Sequence, residues 1–337
     1  MTPLRILVWG SGFFGRKWLE TVKARADCRL AGIVSRAPER LEPLRQDLGL
    51  PDVPGLARLE DARETADAVI VALPEMLHRD AILRALGAGL HVLTEKPLAM
   101  DADDARAILQ AARARADRVV MVSQNFRWRP HTRTLRRAVR EGLVGRLGHV
   151  MLECRQQVRR TTVEAWRERM AHPFLLDFAI HHLDLIRHLT GEEVREVSAV
   201  TFRPAWSWFA GDSAAAAILT TEGGLVVGYD ATMVAHGLET PQEGLVTLIG
   251  ETGSLHLDGR SRVLLLGQGE PRELPLEPVP EGELGHGLAQ FVDAIRTGRR
   301  PETDLADNLR SFALLLAVME STRTRRAVRP PDLSAVA

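Results

Sequence analysis

The stretch VWGSGFFGRKW, residues 8–18, restricts this chain more than any other. Gly10, Gly12 and Gly15 form a G-x-G-x-x-G pattern directly behind the apolar run LRILVWG (4–10), and a helical pattern (13–25) starts inside it. Glycines at this spacing allow a tight turn, a close approach of backbone to a pyrophosphate, and close packing of helix on strand, with the helix N-terminus facing the phosphates. The motif carries weight only inside a strand–turn–helix–strand unit, and the flanking sequence supplies one.

The alternation continues for about a third of the chain. CRLAGIVS (28–35), DAVIVALP (67–74), GAGLHVLTE (87–95) and RVVMVSQN (118–125) read as strands, with helices near 38–48, 76–88 and 101–115. Strands alternating with helices imply parallel crossovers in a doubly wound sheet. After residue 125 the pattern changes. A basic helix (130–141) and a long strand (147–158) lead to a helix at 174–190. Strands then follow without helices between them, at 194–203, 213–221, 224–234, 244–250, 253–258 and 261–266, and two helices near 284–297 and 304–322 close the chain. Turn signals such as TEGG (221–224) fit antiparallel pairing. The expected fold class is α/β: a Rossmann dinucleotide-binding domain at 1–124 and an α+β domain with a large, mainly antiparallel open sheet at 125–337, for substrate binding and oligomerisation.

Composition removes several alternatives. The chain has 337 residues, 45% hydrophobic, with Lys+Arg and Asp+Glu both at 44, so no global field attracts nucleic acid or an anionic membrane. No apolar run approaches the roughly 18 residues of a membrane span. The two cysteines, Cys28 and Cys154, match no metal or redox spacing. MTPLRILVWG lacks the apolar core and cleavage site of a leader. A cytoplasmic setting is expected.

Cofactor choice is set where the second strand ends. An acid there holds the ribose 2′-hydroxyl of NAD. This strand ends GIVSRAPER, with Ser35 and Arg36 at that place and Arg40 a turn later. A hydroxyl and two guanidinium groups suit a 2′-phosphate. NADP(H) is therefore favoured, with NAD(H) as the alternative.

VALPEMLH (71–78), TEKPLA (94–99), QNFRWRP (124–130) and a D-x-x-x-H-x-x-D helix (177–184) follow the glycine loop in order. The set resembles the glucose–fructose oxidoreductase / inositol dehydrogenase (Gfo/Idh/MocA) family over most of the chain. The resemblance implies reversible oxidation of a sugar or polyol hydroxyl, Lys96 and His181 at the reacting carbon–oxygen centre, Asp177 as partner carboxylate, and oligomerisation, as a homodimer or homotetramer, through the open sheet. Cofactor contacts are also expected at Phe13 and Phe14 of the glycine loop, at Pro74 and His78, and at Glu95 and Lys96. One departure affects the substrate. His172-Pro173-Phe174 stand where such helices are often preceded by glycines.

The chemistry can be read independently. On an ideal α-helix Asp177, His181, Asp184 and His188 fall within an arc of about 60°. Asp and His are poor helix formers, and a solvated face normally carries Lys and Glu instead. Histidine is the natural proton acceptor near neutral pH, and a lysine ammonium stabilises an oxyanion. Lys96 follows a central strand, where open α/β sheets bind ligands, and Pro97 limits its mobility; a cis Lys96–Pro97 bond is expected. Asn125, Arg127, Trp128, Trp166 and Asp184 are weaker substrate-contact candidates. Two other readings compete: a non-catalytic cofactor-bound regulator, and a metal-dependent lyase or hydrolase using Asp177, His181, Asp184 and His188 at i, i+4 spacing. The favoured reading needs no metal.

Overall fold

The computed structural model describes residues 2–62, 65–162, 166–267 and 269–335. They form two compact units: Met1–Asn125 with Glu281–Leu309 and Leu333–Ala337, and Phe126–Pro280 with Arg310–Asp332.

The first unit holds six strands: β1 (Leu4–Trp9), β2 (Cys28–Val34), β3 (Gly55–Leu56), β4 (Ala68–Val71), β5 (His91–Glu95) and β6 (Val120–Ser123). Their spatial order is β3-β2-β1-β4-β5-β6, and every pairing is parallel. Strands covered on both faces read as continuous apolar runs, and AVIV of β4 is buried throughout. The order reverses between β1 and β4, which makes their carboxyl ends the switch point where such sheets bind ligands. The helices α1 (Phe13–Lys23), α2 (Glu42–Asp47), α3 (His78–Gly87) and α4 (Ala102–Ala114) alternate with the strands. The helix expected at 38–48 is split, because Pro38–Arg40 form a 3-10 turn and Pro43 opens α2. Proline has no N–H to give and suits only a first turn.

Residues 281–309, which the sequence reading places in the second domain, group with the first unit. Asn125 Nδ2 donates to Glu283 Oε2 at 2.7 Å, and Val122 N donates to Thr303 O at 3.0 Å along the edge of β6. Such a return depends on long-range pairing and has no local signature.

The second unit carries α5 (Pro130–Arg140), β7 (Leu147–Arg155), α6 (Ile180–Thr190) and seven further strands. These are β8 (Val194–Phe202), β9 (Ala214–Thr221), β10 (Val226–Thr232), β11 (Leu245–Gly250), β12 (Gly253–Leu257), β13 (Val263–Gly267) and β14 (Arg272–Leu274). They form one sheet in the order β14-β13-β12-β11-β7-β10-β9-β8, antiparallel except for the parallel pair β7–β10. Alternation along β7 buries Val150, Leu152 and Cys154 on one face. The other face exposes Met151, Val226, Ile218 and Phe202, with Ile218 60% exposed. The helix expected at 174–190 is a π turn at Leu175–Ala179 followed by α6. An i→i+5 turn holds more residues than an α turn, so Asp177 departs from the ideal α-helical stripe. Among the described residues no helix is long and apolar enough to cross a membrane.

Candidate active site

In the first unit the glycines do what their spacing predicts. Gly10 has φ +123°, and a Cβ there would lie 2.2 Å from Ala72 O; a Cβ on Gly15 would lie 2.2 Å from Gly10 O. Only glycine allows β1, the loop beyond β4 and α1 to approach this closely. Gly12 caps α1 without a side-chain bond, and no acid occupies the first turn. The first N–H groups of the helix are thus left for a ligand, and a phosphate fits them. Phe13 is exposed and packs edge-on against Phe14.

Glu95 and Lys96 follow from β5. The Glu95 carboxyl is buried and accepts from Trp18 Nε1 of α1 at 2.8 Å. Burial pushes its pKa up, and the Trp18 bond and the Lys96 charge oppose that rise only in part. Lys96 itself is half-buried, and the Lys96–Pro97 peptide is cis. His78, expected at the cofactor, is fully buried with Nδ1 2.7 Å from Pro97 O and Nε2 2.9 Å from Leu73 O. Burial lowers its pKa, and a neutral ring, which carries a single N–H, donates to one of these two oxygens. Pro74 caps the 3-10 turn that precedes α3.

At the end of β2, Ser35 Oγ accepts from Ala37 N at 3.3 Å. Arg36 and Arg40 are exposed, and among the described residues neither guanidinium makes a hydrogen bond or ion pair.

The second unit places His181 in α6 at 5% exposure, its ring stacked on Phe126 with centroids 4.0 Å apart and planes 8° apart. Asp177 is half-buried and accepts from Arg167 Nη1 at 2.5 Å, and Arg167 lies over the Trp166 ring at 5.3 Å. Arg127 and Asp184, both expected near substrate, bond to each other. Nε and Nη2 donate at 2.6 and 2.5 Å, with the two side chains 5% and 2% exposed. Ser311 Oγ also donates to Asp184, at 2.6 Å. Trp128 is fully buried, and Asn125 is taken up by Glu283. Burial first, then the nearby arginines, hold the His188 pKa well below the usual range. Among the described residues no three His, Cys, Asp or Glu side chains converge to hold a metal. The i, i+4 stripe is interrupted by the π turn, and Asp184 is committed to Arg127.

Comparison with known proteins follows the same division. Residues 4–124 match the oxidoreductase family model with the NAD-binding Rossmann fold, and residues 132–256 match the GFO/IDH/MocA C-terminal domain. The chain belongs to the Gfo/Idh/MocA family. It is therefore a member of an oxidoreductase family with an NAD-binding Rossmann fold. A D-apiose dehydrogenase of Paraburkholderia graminis is 28% identical over 97% of this chain and 90% of its own length. An inositol 2-dehydrogenase of Arthrobacter sp. is 29% identical over 58% of this chain and 56% of its own length. The crystal structure of an oxidoreductase from Agrobacterium radiobacter, in complex with NAD+, L-tartaric acid and magnesium, shares the fold. Its TM-score is 0.88 at 23% identity, over 97% of this chain and 98% of that one.

Within this family frame, two residues escaped the sequence reading. Trp18 carried a signal: a tryptophan on the buried side of an amphipathic helix needs an acceptor for its N–H, and a glutamate ending a buried strand needs a donor. Phe126 carried none, since a lone aromatic after a strand reads as core.

A third group missed in the sequence surrounds Glu243, which is 2% exposed. Burial raises its pKa, but His131, bonded at 2.6 Å, and the Arg129 guanidinium outweigh burial and hold it at about 2. A carboxyl whose folded pKa lies below its unfolded value stabilises the fold above the unfolded pKa, and that contribution is lost as pH falls through the folded one. Between about pH 4.5 and 2 the fold should lose roughly 3 kcal/mol from this group alone. Glu243→Gln should remove that part of the acid sensitivity, and denaturant melts of both proteins at pH 7, 4 and 3 measure it. An unchanged pH slope in the variant would contradict the assignment.

Proposed function

We propose that this protein is an NAD(P)-dependent dehydrogenase acting on a CH–OH group of a sugar, polyol or related small molecule. One observation carries the reading: Glu95 of the Glu95-Lys96-Pro97 segment is bonded to Trp18 of the glycine-loop helix, so the lysine motif and the dinucleotide motif are built into one frame. Gly10, Gly12 and Gly15 with the N-terminus of α1 would hold the pyrophosphate, Phe13 and Phe14 would flank it, and Pro74 and Lys96 would lie toward the nicotinamide. Bound there, the nicotinamide supplies the hydride acceptor. His181 takes the hydroxyl proton, Asp177 supports it, and Lys96 stabilises the developing charge on oxygen. The names of the D-apiose and inositol dehydrogenases support a sugar or polyol as substrate.

The test is a nicotinamide absorbance screen over sugars, inositols and sugar acids with both NAD and NADP. No oxidation with either cofactor, despite cofactor binding, would favour a regulator over an enzyme. With a substrate in hand, His181→Ala should lower turnover by roughly 10²–10⁴-fold and Lys96→Ala by a comparable factor, with cofactor affinity nearly unchanged in His181→Ala. The two losses should combine less than additively, because both act on one oxygen. Near-wild-type turnover in either variant would remove that residue from the mechanism.

The same reading extends to cofactor choice. Arg36 and Arg40 are two uncommitted guanidinium groups where an acid would select NAD. NADP should therefore bind more tightly than NAD, and Arg36→Asp should reverse the order. Calorimetric titration reads this directly, and tighter NAD binding to the wild type would refute it.

We also propose a homodimer or homotetramer assembled through the exposed face of the β7–β10–β9–β8 sheet. Met151, Ile218, Val226 and Phe202 make that face apolar, and a contiguous apolar patch normally marks an interface. Light scattering at micromolar concentration checks this, and a monomer alone would contradict it.

A further inference from the structure

We infer that Phe126 is a positioning residue that fixes the plane of the His181 imidazole for proton transfer. The inference rests on the dehydrogenase reading, in which His181 takes the hydroxyl proton.

Phe126 lies in the 3-10 turn Asn125–Trp128 that follows β6, and it is 6% exposed. Its ring is nearly parallel to His181 at 4.0 Å, and the Arg129 guanidinium carbon lies 3.9 Å from the same ring centroid. Two planar groups centred this close to one ring would collide on a shared face, so Arg129 and His181 take opposite faces. The phenyl ring is thus held between a cation and an imidazole.

Arg129 is itself anchored. It pairs with the buried Glu243, whose Oε1 also meets His131 Nε2 at 2.6 Å, and its Nη2 donates to Gln242 Oε1 at 3.2 Å. The neighbouring His182 is fixed separately. Its Nδ1 lies 2.8 Å from Tyr229 Oη and its Nε2 donates to Gln242 O at 2.7 Å. His182 is thereby committed to the scaffold, and the His181 ring lies face to face with Phe126. Rotating the imidazole about its Cβ–Cγ bond breaks that contact, which is attractive beyond simple burial. An acceptor nitrogen must meet the hydroxyl within hydrogen-bond reach and in line, and small displacements of such a group cost rate steeply.

Two substitutions separate positioning from packing. Phe126→Leu keeps apolar volume and removes the flat face; Phe126→Tyr keeps the ring. Both are assayed with the substrate from the absorbance screen, beside His181→Ala. Phe126→Leu should lower kcat by about 10- to 100-fold, with KM within about two-fold of wild type and cofactor affinity unchanged. Phe126→Tyr should return kcat to within a few-fold. In proton–carbon correlation spectra, the His181 Cε1–Hε1 signal, identified by its loss in His181→Ala, should move downfield in the leucine variant and stay in place in the tyrosine variant. Should Phe126→Leu fail to fold, Phe126→Met takes its place. Unchanged kcat in the ring-less variant, beside an inactive His181→Ala, would overturn this inference and leave the dehydrogenase reading intact. So would an equal loss of cofactor affinity, or no rescue by tyrosine, since either marks a structural role. Wild-type turnover in both His181→Ala and Phe126→Leu would overturn the reading and the inference together.

Discussion

The buried hydrogen bond from Trp18 to Glu95 joins the two motifs on which the first unit depends. A carboxyl at the end of a central strand, shielded from water, is costly unless it is paired. Trp18 supplies the pairing from α1, the same helix whose N-terminus is offered to a phosphate. The glycines make this geometry attainable. With a Cβ at Gly10 or Gly15, α1 could not lie where its second turn reaches Glu95. His78 is packed between the loops beyond β4 and β5, with each ring nitrogen facing a main-chain oxygen. Lys96 is thus presented by a loop whose neighbours on both sides are fixed.

The second unit uses buried charge for the same purpose. Arg127, Asp184, Ser311, Arg187 and Glu193 form a continuous chain: Arg127 and Ser311 bond to Asp184, and Arg187 bonds to Ser311 and Glu193. Buried ion pairs of this kind add little net stability over apolar packing, because desolvation offsets the attraction. Breaking one partner away is expensive, however, and that makes the arrangement specific. It fixes α6 against the turn that carries Phe126, and so bears on the ring that stacks with His181. A second cluster, Arg129 with Glu243 and His131, holds the other face of Phe126. The polar stripe of the helix therefore divides its labour. Asp184 is held by Arg127 and Ser311, and His181 stacks on Phe126.

Much of the first unit was legible because its signals are local. A glycine loop acts through backbone geometry within a few residues, and buried parallel strands announce themselves as apolar runs. The antiparallel sheet was legible from turn residues and alternation, although the short β14 was too brief to show. The partners of several candidate site residues were not legible, for one reason. His78, Glu95, Arg127 and Asp184 are polar residues near motifs, and a sequence cannot show whether a polar side chain faces a ligand or a partner brought from far along the chain. Asp184 and Ser311 meet across a separation that no local pattern records. The π turn at Leu175–Ala179 was illegible for a related reason, since an ideal helical wheel assumes 100° per residue throughout.

By itself, then, the sequence determined the fold class, the phosphate-binding turn, the family, and the identity of the two residues proposed for the chemistry, Lys96 and His181. These follow from backbone conformation and side-chain type, which are properties of short segments. Tertiary structure decided which polar residues pair with one another, that residues 281–309 return to the first unit, and that Trp18 pairs with Glu95 and Phe126 stacks on His181. Those outcomes depend on burial. Only when water is excluded does an unpaired carboxyl, guanidinium or indole N–H carry a penalty large enough to dictate its partner, and which groups lose their water is decided only when distant segments of the chain pack together.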